Sequence, residues 1–169
     1  MTGTSLSLAA LLRARLQAAM SERFDDAADG TMVVSLAGPH DMATQGFEGL
    51  SVWLYRVLQD APRRAVPGAA RGPASPPRLR LHYLLAPVIA AGRPDRPEIA
   101  QAMVGHVIRA LHETPVLAGP HLRGDLSGTG AQIELRVVEP PLAELVQLWR
   151  AIGRDFELSI CCEATRANP

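Results

Sequence analysis

Five histidines and two cysteines are the residues of this chain whose types could support metal binding or catalysis by a nucleophile, and their spacing decides which chemistry is open to them. Cys161 and Cys162 are adjacent, so on a strand their side chains point to opposite faces and a disulfide between them is not expected. A vicinal redox pair is the alternative, but we favour two ordinary cytosolic thiols. His106 and His112 are six residues apart, whereas two metal ligands on one helix face are three or four apart.

Other polar patterns lack the context that chemistry requires. The glycine-rich stretch GDLSGTG, residues 124–130, has no lysine and leads into a predicted strand, so no helix N-terminus is available to bind an anion. Glu139, Glu144 and Asp155 occur without a local carboxylate partner for acid and base roles. Ser159 lacks the flanking glycines of a nucleophile elbow. We therefore predict no catalytic residue, no cofactor and no metal.

His82 lies in the stretch RLRLHYLLAP, residues 78–87, which could be the edge of an active site or a strand. Apolar and polar residues alternate here with the period of a half-buried strand. The pattern predicts that His82 shares the polar face with Arg80, as a surface or interface residue and not a catalytic one. The apolar set is Leu79, Leu81, Tyr83 and Leu85.

Charge and hydropathy disfavour two classes of partner. The 17 basic residues, all arginine, balance 17 acidic residues, and a pI near 7.0 gives no electrostatic reason to expect nucleic acid. Arg13 and Arg15 interrupt the first apolar run, so we expect no signal peptide. No apolar stretch reaches the roughly 20 residues of a membrane helix. We therefore expect no nucleic acid or membrane contacts.

Three helices are predicted from apolar residues at steps of three and four. The first has Thr4, Ser5 and Ser7 as possible N-caps and ends near residues 21–24. The second begins at Asp95, which has capping-box spacing to Glu98, and ends at the Thr114-Pro115 pair. The third opens with proline and closes at Gly153. Their inward residues are Leu8, Leu11, Leu12, Leu16, Ala19 and Met20; Ile99, Met103, Val107, Ala110 and Leu111; and Leu142, Leu145, Leu148, Trp149 and Ile152.

The strands are grouped more often than they alternate with helices, which predicts an α+β fold with a mainly antiparallel sheet over residues 1–169 as a single domain. In residues 50–60, the side chains that would point to either face of a strand are mostly apolar. This strand should therefore be central and covered on both faces. It should pair with residues 78–87 as an antiparallel hairpin. A short strand is predicted around Met32, Val34 and Leu36, a half-exposed one with Ile133, Leu135 and Val137 inward, and a last one from Phe156 to Cys162.

Residues 61–77 form a proline- and alanine-rich connection inside the predicted hairpin, longer than compact domains usually use. Arginines outnumber acidic residues between Arg56 and Arg80. One interpretation is a mobile, solvated loop. The other is an arm that contacts an acidic protein surface or a neighbouring subunit, since arginine is enriched in interfaces.

Four segments carry a family resemblance: VWLYRVLQD, PPRLRLHYLLAP, IAQAMVGHVIRALHETPVL and LVQLWRAIGRDFELSICCEATR. In order and wording they resemble the N-terminal domain of the cap, or tail-terminator, proteins of phage-tail-like contractile injection systems of the virulence-cassette and antifeeding-prophage type. The resemblance spans residues 6–166. The sequence departs from the family in its own version of the variable loop and in Cys161-Cys162, where members often have an aromatic or other strand residue.

The resemblance implies a non-enzymatic structural subunit. Such a subunit assembles with itself into a six-membered ring, and it closes the inner tube and the sheath at the end distant from the baseplate. Its partners are then further copies of itself, the inner tube protein and the sheath protein. The particle assembles in the cytoplasm and can be released.

A ring requires heterologous interfaces, for which strand edges and long arms are suited. We expect residues 63–78 and the last strand, 156–165, to make these contacts. Two alternatives stay open: a terminator of an ordinary contractile phage, and a small ligand-binding or enzymatic domain that uses His82, Cys161 or Cys162. The expected interface residues are Arg63, Arg64, Arg71, Arg78, Arg80, His82, Glu157, Ser159, Cys161 and Glu163.

Overall fold

The computed structural model describes residues 1–24, 32–59 and 79–167. Five α-helices and six strands lie in these ranges, with two 3₁₀ turns at Gly119–His121 and Gly124–Leu126. In chain order the elements are α1 (Thr2–Ala19), α2 (Ser21–Phe24), β1 (Val33–Ser35), α3 (Pro39–Thr44), β2 (Gly49–Gln59), β3 (Leu79–Val88), α4 (Arg96–Glu113), β4 (Val116–Ala118), β5 (Gln132–Val138), α5 (Leu142–Ile152) and β6 (Ile160–Ala167).

The six described strands form one sheet in the order β1-β2-β3-β6-β5-β4. β1 and β2 are parallel, and every other neighbouring pair is antiparallel. This confirms the predicted α+β class with a mainly antiparallel sheet. The position predicted for β2 is wrong, because β2 is second from one edge while β3 and β6 occupy the centre.

The predicted hairpin of β2 and β3 is confirmed. Its register runs from Gly49 opposite Val88 to Gln59 opposite Leu79, and it shifts between Leu54 and Arg56. The shift is a bulge, which inserts an extra residue into one strand and so changes the face to which the following side chains point. The connection between the two strands, which includes the predicted loop 61–77, lies outside the described residues.

One face of the sheet packs against α1 and α4 to form the main core. Because β3 alternates, Leu81, Tyr83 and Leu85 all reach this side, as predicted. The hydroxyl groups of Tyr83 and Ser5 are 2.8 Å apart in a buried hydrogen bond that joins β3 to α1. The helix stripes are confirmed apart from Ala19 and Met20: Leu8, Leu11, Leu12, Leu16, Ile99, Met103, Val107, Ala110 and Leu111 are buried.

The opposite face packs against α5 in a smaller second core of Leu84, Ala86, Trp149 and Cys161. α5 ends where predicted, since Gly153 takes the left-handed conformation with φ of 79°. The inward positions predicted for α5 are only partly right, because Trp149 is buried and Leu145, Leu148 and Ile152 are half-buried, whereas Leu142 is 65% exposed. The sheet extends beyond the short helix, so α5 covers only part of this face.

Helix-start predictions based on side-chain caps are wrong. α1 begins at Thr2, so Thr4, Ser5 and Ser7 lie inside the helix. The Ser7 hydroxyl instead donates to the Gly3 carbonyl at 2.6 Å. Asp95 does occupy the N-cap position of α4, but its side chain makes no capping hydrogen bond.

Asp95 pairs instead with two arginines that approach from outside the helix. Arg93 Nε lies 3.1 Å from Asp95 Oδ1, and Arg23 Nη1 lies 3.2 Å from Oδ2. These contacts replace the capping interaction, because a carboxylate forms shorter and stronger hydrogen bonds with a charged donor than with a neutral one.

The boundaries of the last strand and the burial of Val137 also differ from the prediction. β6 begins at Ile160, and Phe156 and Leu158 precede it with exposed fractions of 49% and 45%. Val137 continues the inward set of β5 but is 40% exposed, because alternation gives the side of the sheet and not what covers it. α3, which starts at Pro39, has no counterpart among the predicted elements.

Met103→Ala should lower the free energy of unfolding by about 2–5 kcal/mol, because the side chain is fully buried in the main core and its removal leaves a cavity. Ile108→Ala is the control on the same helix, since Ile108 is 43% exposed, and it should cost about 1 kcal/mol or less. Urea unfolding followed by circular dichroism measures both. Equal losses would contradict the assignment of the buried face of α4.

Candidate interface on the half-covered face of the sheet

The structure brings together three of the predicted interface residues. Arg80, His82 and Glu163 meet on the face of the sheet that α5 half covers. Cys161 lies beside them in the second core, while Glu157 and Ser159 lie before β6 begins. The remaining four, Arg63, Arg64, Arg71 and Arg78, lie outside the described residues.

Four side chains form a row across this face, which we call the charged row. Arg136 on β5 is directly opposite Glu163 on β6, and Glu163 is directly opposite His82 on β3. His82 is in turn opposite Arg56 on β2, just after the bulge. Residues directly opposite in an antiparallel pair have neighbouring side chains, so the sheet register itself places the carboxylate of Glu163 between an arginine and a histidine.

Glu163 is the centre of the charged row. It is only 7% exposed, and three groups approach its carboxylate: Arg136 Nη2 at 3.3 Å, His82 Nε2 at 3.4 Å and Arg80 Nη1 at 3.7 Å. A buried carboxylate without cationic partners would be strongly destabilising. The two arginines therefore hold the Glu163 side chain in place.

His82 shares its face of the sheet with Arg80, as predicted, but only 14% of its side chain is exposed, so it is not a surface residue. Its role in an interface stays a prediction. Burial lowers the pKa of His82, and the nearby charges of Arg56 and Arg80 lower it further, while Glu163 and Glu144 act in the opposite direction. Its Nε2 atom is buried and makes no hydrogen bond, although Glu163 Oε2 is 3.4 Å away. The imidazole is therefore neutral at pH 7.

An apolar row lies next to the charged row on the same face. Its residues are two positions away from those of the charged row on β3, β5 and β6, and three positions away on β2 because of the bulge. Register pairs Val138 with Cys161, Cys161 with Leu84, and Leu84 with Trp53. α5 packs on this row through Trp149. The margin of the helix reaches the charged row at one point, where Arg56 Nη1 lies 3.6 Å from Glu144 Oε1.

The two cysteines are free thiols on opposite faces of β6, as predicted. Cys161 belongs to the second core and Cys162 to the main core. Burial raises the pKa of both thiols, and that of Cys162 to about 12. Because the thiolate is the reactive form, neither cysteine has the properties of a nucleophile.

Glu157 and Ser159 have structural partners within the chain. Glu157 binds Arg154 at 2.7 Å and Arg96 at 2.9 Å, which ties the segment before β6 to the start of α4. Ser159 accepts a hydrogen bond of 3.2 Å from the indole nitrogen of Trp149. Their role in an interface stays a prediction.

A shallow cleft of about 240 Å³ lies beside the Arg96–Glu157 pair. Apolar residues form most of its walls, and its two charged residues, Arg96 and Glu157, form an ion pair with each other. In the described ranges, no three His, Cys, Asp or Glu side chains come close enough to hold a metal ion, and no helix combines the length and apolar character of a membrane span.

Sequence reasoning missed Arg56 and Arg136 as members of the site. The predicted inward set of Ile133, Leu135 and Val137 leaves Arg136 on the outward side of its strand, and Arg56 begins the arginine-rich region. Alternation gives the face on which each residue lies, but only the pairing of β5 with β6 and the bulge in β2 bring both to the same row.

Comparison with known proteins gives one family and a shared fold. A family model described as the Pvc16 N-terminal domain matches residues 5–167. The sheath/tube terminator of PVC, an extracellular contractile injection system seen by cryo-EM in its extended state, is similar with a TM-score of 0.53 and 18% identity, covering 92% of this chain and 57% of that chain. The anti-feeding prophage cap, a tube-terminating cap, aligns with a TM-score of 0.48 and 18% identity, covering 91% of this chain and 55% of that one.

The chain thus spans somewhat more than half the length of the two structures that it resembles. None of the curated proteins compared with the sequence matches it.

The lowered pKa of His82 predicts a pH-dependent stability. A histidine that is harder to protonate when folded makes stability rise with pH, so stability is fully present above the ordinary pKa of 6.5 and is lost as pH falls towards the folded pKa. Urea unfolding between pH 8 and pH 5 should therefore show a smaller loss in His82→Gln than in the wild type.

His121→Gln, in an exposed turn after β4, is the control and should keep the wild-type pH dependence. If His82→Gln keeps the pH dependence of the wild type, the pH dependence does not come from the lowered pKa of His82.

Proposed function

This chain belongs to the Pvc16 N-terminal domain family, and we propose that it is a structural cap, or terminator, subunit of a phage-tail-like contractile injection system. The observation that carries the proposal is the family match over residues 5–167, nearly the whole sequence. The fold shared with a sheath/tube terminator over 92% of this chain supports it. Function in this proposal is binding, and no chemical step is involved.

The assembly that we propose is a ring of copies of this chain, six in number, at the end of the inner tube and the sheath. The tube protein and the sheath protein are then its partners, and the particle assembles in the cytoplasm before release. A ring with one rotation axis joins two different surfaces of each subunit. The half-covered face is a suitable surface, because α5 leaves Arg136 75% exposed and Arg56 52% exposed.

We also propose that residues 63–78 contact a neighbouring protein. β2 and β3 join this segment to the sheet at Gln59 and Leu79, which are paired at the end of the hairpin. The segment therefore joins β3 at the end of the strand that carries Arg80. Arg80 is two residues from His82. Residues 156–165, which include the start of β6, are the second proposed contact.

Particles purified from the native host through a tag on this chain should be rods that carry the chain at one end. Gold directed to the tag, viewed by negative-stain electron microscopy, should mark the end opposite the baseplate. Labelling along the rod, or recovery of the free chain without tubular particles, would overturn the cap proposal. A tagged sheath protein in a parallel preparation is the control, since it should label the full length.

Deletion of residues 62–76 should weaken ring assembly and tube binding if the segment makes an intersubunit contact. Replacement of Arg63, Arg64 and Arg71 by serine in the full-length chain tests the charge separately from the length. Size-exclusion chromatography with light scattering, together with co-sedimentation with tubes, measures both effects. Unchanged assembly in the deletion variant would remove the segment from the proposal without affecting the cap role.

A further inference from the structure

A groove of about 300 Å³ lies between α5 and β2, beside the charged row, and we call it the α5 groove. Apolar side chains form most of its surface, together with one acidic and one basic side chain. Its tyrosine and leucine side chains are only half-buried, so another molecule can contact them. The apolar members include Tyr55, Pro140, Leu145 and Leu148, and the charged members are Arg56 and Glu144.

The bulge in β2 gives the groove its aromatic side. Tyr55 is the extra residue of the bulge, since Leu54 and Arg56 on either side of it are opposite consecutive residues of β3. The ring of Trp53 lies next to that of Tyr55, with the two centroids 6.2 Å apart, and both residues are half-buried. Grooves lined by aromatic side chains are the surfaces to which proline-rich segments bind.

The two charged side chains of the groove form a weak pair. Arg56 Nη1 lies 3.6 Å from Glu144 Oε1, and each side chain is about half exposed. Ion pairs that are so exposed contribute little to stability, because water screens them. Glu139, the residue before Pro140, is exposed as well. Glu144 is therefore available to a second cation from another molecule.

Residues 71–78, with the sequence RGPASPPR, have a composition that suits this groove. Three prolines and an alanine supply compact apolar side chains, and an arginine stands at each end. Residues 60–78 as a whole contain four arginines against one acidic residue, Asp60. At the groove, Glu139 and Glu144 outnumber Arg56, so the segment and the groove are complementary in charge.

We propose that residues 71–78 of one copy of this chain bind in the α5 groove of a neighbouring copy. The prolines lie against Tyr55 and Leu148, and an arginine binds Glu144. This contact rests on the proposed ring, which needs two different surfaces on each subunit. The segment is one of these surfaces and the groove is the other.

The course of the chain favours the groove of a neighbouring copy over its own. β2 passes the groove at Tyr55 and Arg56 and ends at Gln59, and β3 begins opposite Gln59 at Leu79. Both ends of the segment therefore leave the sheet on the side away from the groove. Residues 71–78 directly precede Leu79 and span at most about 26–29 Å when extended, so the groove of the next subunit must lie within that distance.

A synthetic peptide of residues 71–78 tests the contact in solution. Titrated into the dilute full-length chain, it should shift the backbone amide signals of Tyr55, Arg56 and Leu145 in nuclear magnetic resonance spectra. The shifts should saturate with a Kd below about 1 mM. A peptide in which alanine replaces the three prolines should bind more weakly. If the signals of the groove do not shift, or if the two peptides bind equally, the proposal is overturned.

Glu144→Arg in the full-length chain tests the ion pair, because it turns an attraction for the peptide into a repulsion. It should weaken peptide binding about threefold or more. Glu134→Arg is the matched control, since Glu134 is an exposed residue on the same face but outside the groove. Its Kd should equal that of the wild type. An equal loss in the two variants contradicts the proposed site.

Binding within one chain is the alternative, and a full-length variant distinguishes it. Arg71→Glu, Pro73→Ala and Pro76→Ala together remove the segment's own binding residues. The dilute wild type and this variant should bind the peptide equally, because a neighbouring copy does not fill the groove at low concentration. Weaker binding to the wild type at every dilution means that each chain fills its own groove, which overturns the proposal.

Failure of this contact and failure of the cap role give different results. Without peptide binding, the contact between copies is rejected, whereas rods labelled at one end still support the cap. Peptide binding without tubular particles rejects the cap proposal and leaves a contact between copies. If both hold, Glu144→Arg should reduce the amount of the chain at rod ends, and Glu134→Arg should not.

Discussion

The burial of β3 and β6 on both faces is the constraint on which the rest of the structure depends. Successive side chains of a strand point to opposite sides, so these two strands divide their residues between the main core and the second core. Tyr83 and Cys162 face α1 and α4, while Leu84 and Cys161 face α5. A shift of one residue in the pairing would exchange both sets. The positions of α1, α4 and α5 follow from this pairing.

The same constraint explains the charged row. β3 extends further than α5 can cover, so its outer residues must be polar or must have polar partners. Glu163 meets this requirement with Arg80, His82 and Arg136, which lie 3.3–3.7 Å from its carboxylate. Ion pairs therefore hold the side chains on the part of the face next to α5, whereas apolar packing holds those under α5. A partner that covers this region meets an ordered set of charges.

Sequence periodicity predicted the elements whose two sides differ strongly. The stripe of α4 and the alternation of β3 were correct, because each has an apolar side in contact with a full core. It failed for Leu142, which continues the apolar side of α5 past the second core that this helix packs against. The charged row could be predicted only in part, since Arg80 and His82 are close in sequence, but Glu163 reaches them through a strand pairing that no local pattern contains.

The strand order has a consequence for how the chain is made. β6 lies between β3 and β5, and it follows both in the sequence. During synthesis, the β1-β2-β3 unit and the β4-β5 unit therefore emerge from the ribosome before the strand that joins them. Until β6 arrives, β3 and β5 each have an open edge that can pair with another chain. Such long-range pairing also slows folding, so the nascent chain is exposed to premature association until β6 is inserted.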